Sequence, residues 1–262
     1  MVDKVDLTMF RDLADVPWAN LMLGAVAVPA LPPESVQRNW CGNSGVTLAL
    51  QSADFYRLLK DSYARHARKS FAESIILDFG CGWGRLARLF AKDLPASQIF
   101  GCDPDGNILE WCREVPGTFK QSETRPRRLP FEQRFDLAFA FSVFTHLGPN
   151  THETALNALH ASLETEGLLI ATIRPRPFLE IRAADLATLP VEKTDRLLAA
   201  YDAGNYVYHP YNLPAVEGEV PYGEAIIPMA YIEQHWTDRF EVLEHASTVS
   251  DPYQISLVMR RK

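Results

Sequence analysis

Apolar positions along this chain change period as it proceeds. Over residues 52–69, Phe55, Leu58, Leu59 and Tyr63 recur at helical spacing and predict an amphipathic helix. The helix leads into Ser74-Ile75-Ile76-Leu77-Asp78-Phe79, a short apolar run closed by glycines, as in a buried parallel strand. The alternation then repeats. Residues 85–92 predict a helix with Leu86, Leu89 and Phe90 on one face; residues 98–102 predict a strand ending at Asp103. Residues 107–113 predict a helix with Asp105 as its N-cap, and 118–122 a third strand. A fourth strand is predicted over 135–141, then a helix over 151–164 with Ala155, Leu156, Leu159 and Leu163 as its stripe, then a fifth strand over 167–173. Two late β-rich runs, 240–245 and 253–259, flank a short polar turn and predict a hairpin at a sheet edge.

Strand-helix alternation of this kind implies an α/β fold. The expected form is a doubly wound, Rossmann-like seven-stranded sheet, mostly parallel, with an antiparallel C-terminal edge hairpin. Residues 1–50, with prolines at 17, 29, 32 and 33, are expected to form an irregular arm or cap. Residues 51–174 and 231–262 form the expected core. Residues 175–230 are too long for an ordinary connection and are expected to be an insertion, a lid over an acceptor site. His152 and His160 are expected at the surface.

Composition narrows the class. The 262 residues are 47% hydrophobic and 23% charged, enough for a full core. A net charge of -7 disfavours nucleic acid and anionic membrane surfaces as partners. The basic clusters at 65–69 and 125–128 read as a solvated helix end and a solvated loop. None of the four cysteines, Cys41, Cys81, Cys102 and Cys112, forms a C-x-x-C pair, so no metal site is expected. Reduced thiols, the absence of a signal-peptide layout at Met1–Asp6 and an apolar stretch at 21–31 too short to span a bilayer all predict a cytoplasmic protein without membrane insertion.

The candidate chemistry centres on Asp78-Phe79-Gly80-Cys81-Gly82-Trp83-Gly84-Arg85. It follows a predicted strand and opens a predicted helix, where glycines permit a tight turn and close approach of backbone to ligand. The dinucleotide fingerprint is G-x-G-x-x-G; here the third glycine comes one residue early. At the next strand tip, Asp103 is placed to accept two vicinal hydroxyls with its two oxygens. Asp103 also suits a helix cap, although Asp105 is better placed for that.

The G-x-G-x-G spacing, with an acid two residues before its first glycine, resembles motif I of class I S-adenosylmethionine-dependent methyltransferases. Leu129-Pro130-Phe131, Phe135-Asp136-Leu137 and Ser142-Val143-Phe144-Thr145-His146-Leu147 resemble the surroundings of strand four in the small-molecule members, and Gly167-Leu168-Leu169-Ile170 their entry to strand five. The resemblance covers 52–174 well and 228–260 loosely. It implies that Asp78, Phe79, Gly80, Cys81 and Gly82 border the methionyl part and ribose of S-adenosylmethionine. Asp103 and Pro104 would meet the ribose, Ser122 or Glu123 the adenine, and Phe141 and Ser142 the cofactor through their backbone. S-adenosylhomocysteine would be the product.

His146 lies just past strand four and reads either as a general base or as a packing residue. Arg174 and Arg176 follow strand five and suit an anionic acceptor or the surface. Tyr201, Tyr206, Tyr208, His209, Tyr211 and Tyr222 crowd the insertion and suit an acceptor lid or a packed flap; Arg174, Tyr206, Tyr208 and His209 are the substrate-site candidates. The expected reaction is methyl transfer to a small-molecule or saccharide-like acceptor, with oxygen as the receiving atom. The alternatives are a nicotinamide-dependent oxidoreductase and a methyltransferase-like binding module without catalysis.

Overall fold

The computed structural model describes residues 22–23, 26–27, 31–185 and 191–262; most of the expected arm over 1–50 lies outside the described residues. A short hairpin, β1 (Met22–Leu23) with β2 (Val26–Ala27), is followed by α1 (Glu34–Cys41) and α2 (Gly45–His66). The core then runs β3 (Ile76–Phe79), α3 (Ala87–Phe90), β4 (Ile99–Asp103), α4 (Gly106–Leu109), β5 (Thr118–Gln121), β6 (Phe135–Ala140), α5 (Pro149–Ser162) and β7 (Leu163–Ile173). Next come α6 (Arg176–Asp185), α7 (Val191–Asp202), β8 (Val207–Pro210) and β9 (Gly223–Ile226). The chain closes with α8 (Met229–His235), β10 (Phe240–Thr248) and β11 (Asp251–Arg261).

Seven strands form one sheet in the order β10-β11-β7-β6-β3-β4-β5. All neighbours are parallel except where β11 pairs with β7 and β10. Successive side chains along a strand point to opposite faces, and here both faces are covered. Leu77, Phe79, Ala138 and Ala140 pack on one side with α5 and Trp236. Ile76, Leu137 and Phe139 pack on the other with α2 and α3. The insertion has its own small core of Phe178, Leu179, Val207 and Ile226.

Three local expectations are corrected. Residues 34–50 are largely helical, because Pro32 and Pro33 precede α1 and Pro33 serves as its N-cap instead of interrupting it. The helix expected over 85–92 shrinks to α3, because the glycine turn persists through residue 86. His152 is fully buried, not exposed: it lies one turn before Leu156 on the apolar stripe of α5. Trp236 Nε1 donates to its Nε2 at 2.9 Å, and burial holds its pKa down to about 3. His160 is partly buried against Phe240.

Candidate active site

The site follows from where β3 sits. The chain leaves it towards β4 and β5 on one side and later returns to β6 and β7 on the other, so a crevice opens beyond its carboxyl end. The glycine loop lines that crevice. Gly80 has φ +75°, and a Cβ there would lie 2.4 Å from Val143 Cγ2. Gly82 has φ +51°, and its Cβ would lie 2.4 Å from the indole nitrogen of Trp40. Only glycine lets this backbone lie between α1 and the segment after β6. The N–H groups of Gly80 and Cys81 both donate to the Cys102 carbonyl, tying the loop to β4.

Two buried carboxyls face the resulting cavity of about 1040 Å3. Asp103 accepts one backbone N–H on each oxygen: Gly82 on Oδ2 and Asp105 on Oδ1, both at 3.0 Å. Burial pushes its pKa up to about 6, and these two bonds hold it lower than burial alone would. Each oxygen retains acceptor capacity towards the cavity. Asp78 is buried more deeply, and its Oδ2 has no hydrogen-bond partner. Burial pushes it up to about 8; the nearby Arg85 charge opposes that rise. A ligand that brings a diol and a cationic donor meets both needs. Asp105 caps α4, its Oδ1 accepting the Asn107 N–H at 2.8 Å.

The other end of the cavity is built from β6, β7, the insertion and β11. Ser142 adopts φ +58°, a strained value for a non-glycine residue. Its N–H donates to Thr172 Oγ1 at 2.7 Å, and Gln254 Nε2 donates to its Oγ at 3.0 Å. His146 follows one turn later. Its Nδ1 is 2.8 Å from the Gly223 carbonyl, and its Nε2 is 3.4 Å from Arg174 Nη2. Tyr222 stacks on the imidazole, with centroids 5.3 Å apart and planes 11° apart. Arg174 lies over the Phe178 ring at 3.7 Å and pairs with the buried Glu224 at 3.6 Å. Glu224 also accepts the Tyr211 hydroxyl at 2.8 Å.

Asp78, Phe79, Gly80, Cys81, Asp103, Pro104, Ser122, Phe141, Ser142, His146 and Arg174 all line this cavity. Gly82 contributes behind it, through its N–H to Asp103. The insertion residues need correction. Tyr206, Tyr208 and His209 are not on the cavity wall; Tyr211, Tyr222 and Glu224 are. The Tyr206 hydroxyl donates to the Leu147 carbonyl and fastens the insertion to the segment after β6, whereas that of Tyr208 donates to the Val220 carbonyl within the insertion. The Arg176 guanidinium pairs with Asp202 and Glu180 at the surface. Trp40, Arg85, Asp251 and Gln254 also reach the cavity and were not foreseen. The glycine loop offers a signal for Arg85; the other three come from distant segments and carry none.

Residues 76–167 match a family model described as a methyltransferase domain. Over 98 residues the chain is 26% identical to cyclopropane-fatty-acyl-phospholipid synthase of Escherichia coli (strain K12), covering 36% of this chain and 25% of that enzyme. The chain thus spans about a quarter of the length of this curated relative. Magnesium protoporphyrin IX methyltransferase from Synechocystis PCC 6803, solved with bound S-adenosylhomocysteine, superposes with a TM-score of 0.57 at 11% identity, over 87% of this chain and 94% of that one. An S-adenosylmethionine-dependent methyltransferase from Clostridium acetobutylicum ATCC 824 gives 0.51 at 11% identity, over 79% and 92%. At these identities, the superpositions show a shared fold.

Proposed function

We propose, from the premise that the chain carries a class I S-adenosylmethionine-dependent methyltransferase domain, that it moves a methyl group from S-adenosylmethionine to an oxygen of a small-molecule or saccharide-like acceptor. S-adenosylhomocysteine is the product. The methyltransferase match over 76–167 displaces the nicotinamide alternative. The observation that carries the acceptor reading is the meeting of His146 Nε2 and Arg174 Nη2, 3.4 Å apart, on the same cavity as the glycine loop and Asp103.

The residues present fit the cofactor. The spare acceptor capacity of Asp103 suits the ribose diol, and the unpartnered Asp78 Oδ2 suits the methionyl ammonium. Phe141 and Ser142 line the same wall. When bound, the cofactor supplies a methyl group already activated on a sulfonium. The chain's task is then to align an acceptor and exclude water. His146 Nε2 takes the proton of an acceptor hydroxyl, while the Arg174 guanidinium donates to the same oxygen as negative charge develops. Gln254 Oε1 is buried on this cavity without a partner, which favours an acceptor carrying further hydroxyl donors. The four free cysteines suit a cytoplasmic site of action. Among the described residues, no helix is long and apolar enough to cross a membrane.

Calorimetry with S-adenosylhomocysteine, using NAD as control, tests the cofactor assignment. Binding of NAD alone would overturn it. Transfer from methyl-labelled cofactor is then measured across an acceptor panel. Against an accepted substrate, His146→Ala should lower turnover about 10²–10⁴-fold and leave S-adenosylhomocysteine binding intact. Unchanged turnover would remove His146 from the mechanism. Cofactor binding without transfer to any acceptor would favour a binding module.

A further inference from the structure

The imidazole of His146 is bounded by groups whose hydrogen-bonding roles are not interchangeable. The Gly223 carbonyl, 2.8 Å from Nδ1, can only accept. The Arg174 guanidinium, 3.4 Å from Nε2, can only donate. The Tyr211 hydroxyl lies 3.4 Å from Nδ1, but its proton is directed to Glu224 Oε1 at 2.8 Å. Its oxygen therefore also presents a lone pair to Nδ1. A neutral imidazole satisfies all three neighbours only with its proton on Nδ1 and its lone pair on Nε2. Free histidine in water prefers the opposite tautomer. Here that form would set Nε2–H against a guanidinium and an Nδ1 lone pair against a carbonyl oxygen.

The carbonyl stands there because the insertion docks on the segment after β6 by strand-like pairing. Gly223 N–H donates to the His146 carbonyl at 2.8 Å, Ala225 N–H to that of Thr145 at 2.8 Å, and Gly148 N–H to that of Pro221 at 2.9 Å. Gly223 and His146 thus exchange two hydrogen bonds, one main chain to main chain and one through the ring. The close approach of β9 to β8 needs a residue without a side chain: a Cβ at Gly223 would lie 2.2 Å from the His209 carbonyl oxygen. Tyr222, the preceding residue, covers the face of the ring.

We propose that the insertion, besides closing the acceptor end of the cavity, sets the tautomer of His146. The main-chain oxygen of Gly223 is the positioning group: it holds the Nδ1 proton and so leaves the lone pair on Nε2, beside the Arg174 guanidinium on the cavity wall. The consequence for methyl transfer rests on reading His146 as the base, but the tautomer is a property of the resting protein. Backbone carbonyls that accept the far N–H of a working histidine fix its tautomer in this way at other catalytic centres.

Long-range ¹H–¹⁵N correlation spectra of the full-length labelled protein, with His146 assigned by difference from His146→Gln, read the tautomer directly. The expected result is a predominantly Nδ1–H imidazole at a pH where the ring is neutral. Arg174→Met should keep that form, since the carbonyl remains. Gly223→Ala should shift the ring towards the Nε2–H form, because its methyl drives β9 away from β8. A wild-type ring that is predominantly Nε2–H, or an even mixture, overturns the proposal. So does a folded Gly223→Ala protein with the wild-type tautomer. If Gly223→Ala does not fold, Arg174→Met decides: loss of the Nδ1–H form there would assign the tautomer to Arg174 and refute the role of Gly223. Failure of the base reading looks different, as full turnover in His146→Ala alongside a predominantly Nδ1–H ring at His146 in the wild-type protein.

Discussion

Replacing Asp103 by alanine tests the cofactor end of the cavity most directly. Its carboxylate offers about four lone-pair directions, and two are taken by the Gly82 and Asp105 N–H groups. The remaining two are the ones we propose for a ribose diol. A hydrogen bond to a charged acceptor contributes about 1.5–3 kcal/mol, so losing one such increment should raise the Kd for S-adenosylhomocysteine roughly 10- to 150-fold. Two backbone donors would also lose their partner, at about 1–3 kcal/mol of stability for a buried one. A melting curve must therefore accompany the titration. Calorimetry at pH 8 is the appropriate assay, because burial lifts Asp103 to about 6 and the wild-type carboxyl is then ionised. As pH falls through 6, protonation occupies one acceptor position, and wild-type affinity should weaken. Asp103→Ala should lack that acid limb. A folded Asp103→Ala protein with wild-type affinity, or with the same limb, would refute the ribose assignment.

Further tests address the buried groups. Burial raises Asp78 to about 8, so the unfolded chain loses this proton first and stability falls as pH climbs from about 4 to 8. Asp78→Asn should therefore gain melting temperature over wild type progressively across that window while binding S-adenosylhomocysteine more weakly; a pH-independent difference would contradict the linkage. His152 behaves in the opposite direction. With its folded pKa near 3, the unfolded state gains a proton below about 6.5, and the stability tied to the neutral ring is lost as pH drops towards 3. Acid melts of His152→Gln should be flatter over this range, and equal slopes would exclude His152 as a source of acid sensitivity. Glu219 accepts the Asn150 and Thr151 N–H groups and the Thr151 hydroxyl at the start of α5, capping it from the insertion. Glu219→Ala should cost about 1–2 kcal/mol in urea unfolding; an unchanged midpoint would mean that water replaces the cap at no cost.

The fold and the glycine-loop end of the cavity were legible from local patterns. Short apolar runs and helical apolar spacings marked strands and helices, and the strands over 76–79, 99–103 and 135–140 follow them closely. The glycine loop and Asp103 were visible because a parallel sheet delivers consecutive strand tips to the same edge. Knowing the strands was therefore enough to place Asp78, Asp103, Phe141 and Ser142 together. The polarity of His152 points to the surface, but its position one turn from Leu156 on the apolar stripe buries it. The helix over 34–41 is hidden in the sequence by the prolines just before it, which suit irregular chain as well as a helix start.

The other end of the cavity, where we propose the acceptor binds, belongs to tertiary structure. Arg174, Tyr222, Glu224 and Gln254 come from β7, the insertion and β11, and are brought to His146 by packing that no periodicity encodes. Sequence marked the insertion as rich in tyrosine, but the hairpin register decides which rings are used. Tyr206 anchors the flap to Leu147, Tyr208 bonds within it, and Tyr211 and Tyr222 reach the cavity. The tautomer of His146 lies further still from the primary structure, since the neighbours that fix it lie 28 to 77 residues away. What the sequence alone determined rests on short-range geometry: the strand-helix alternation of the core, the loop that requires glycine, and the acids at strand tips. Which polar groups converge on an acceptor, and in which protonation pattern, depends on side chains and carbonyls from distant segments meeting within hydrogen-bond distance, and only the folded chain decides that.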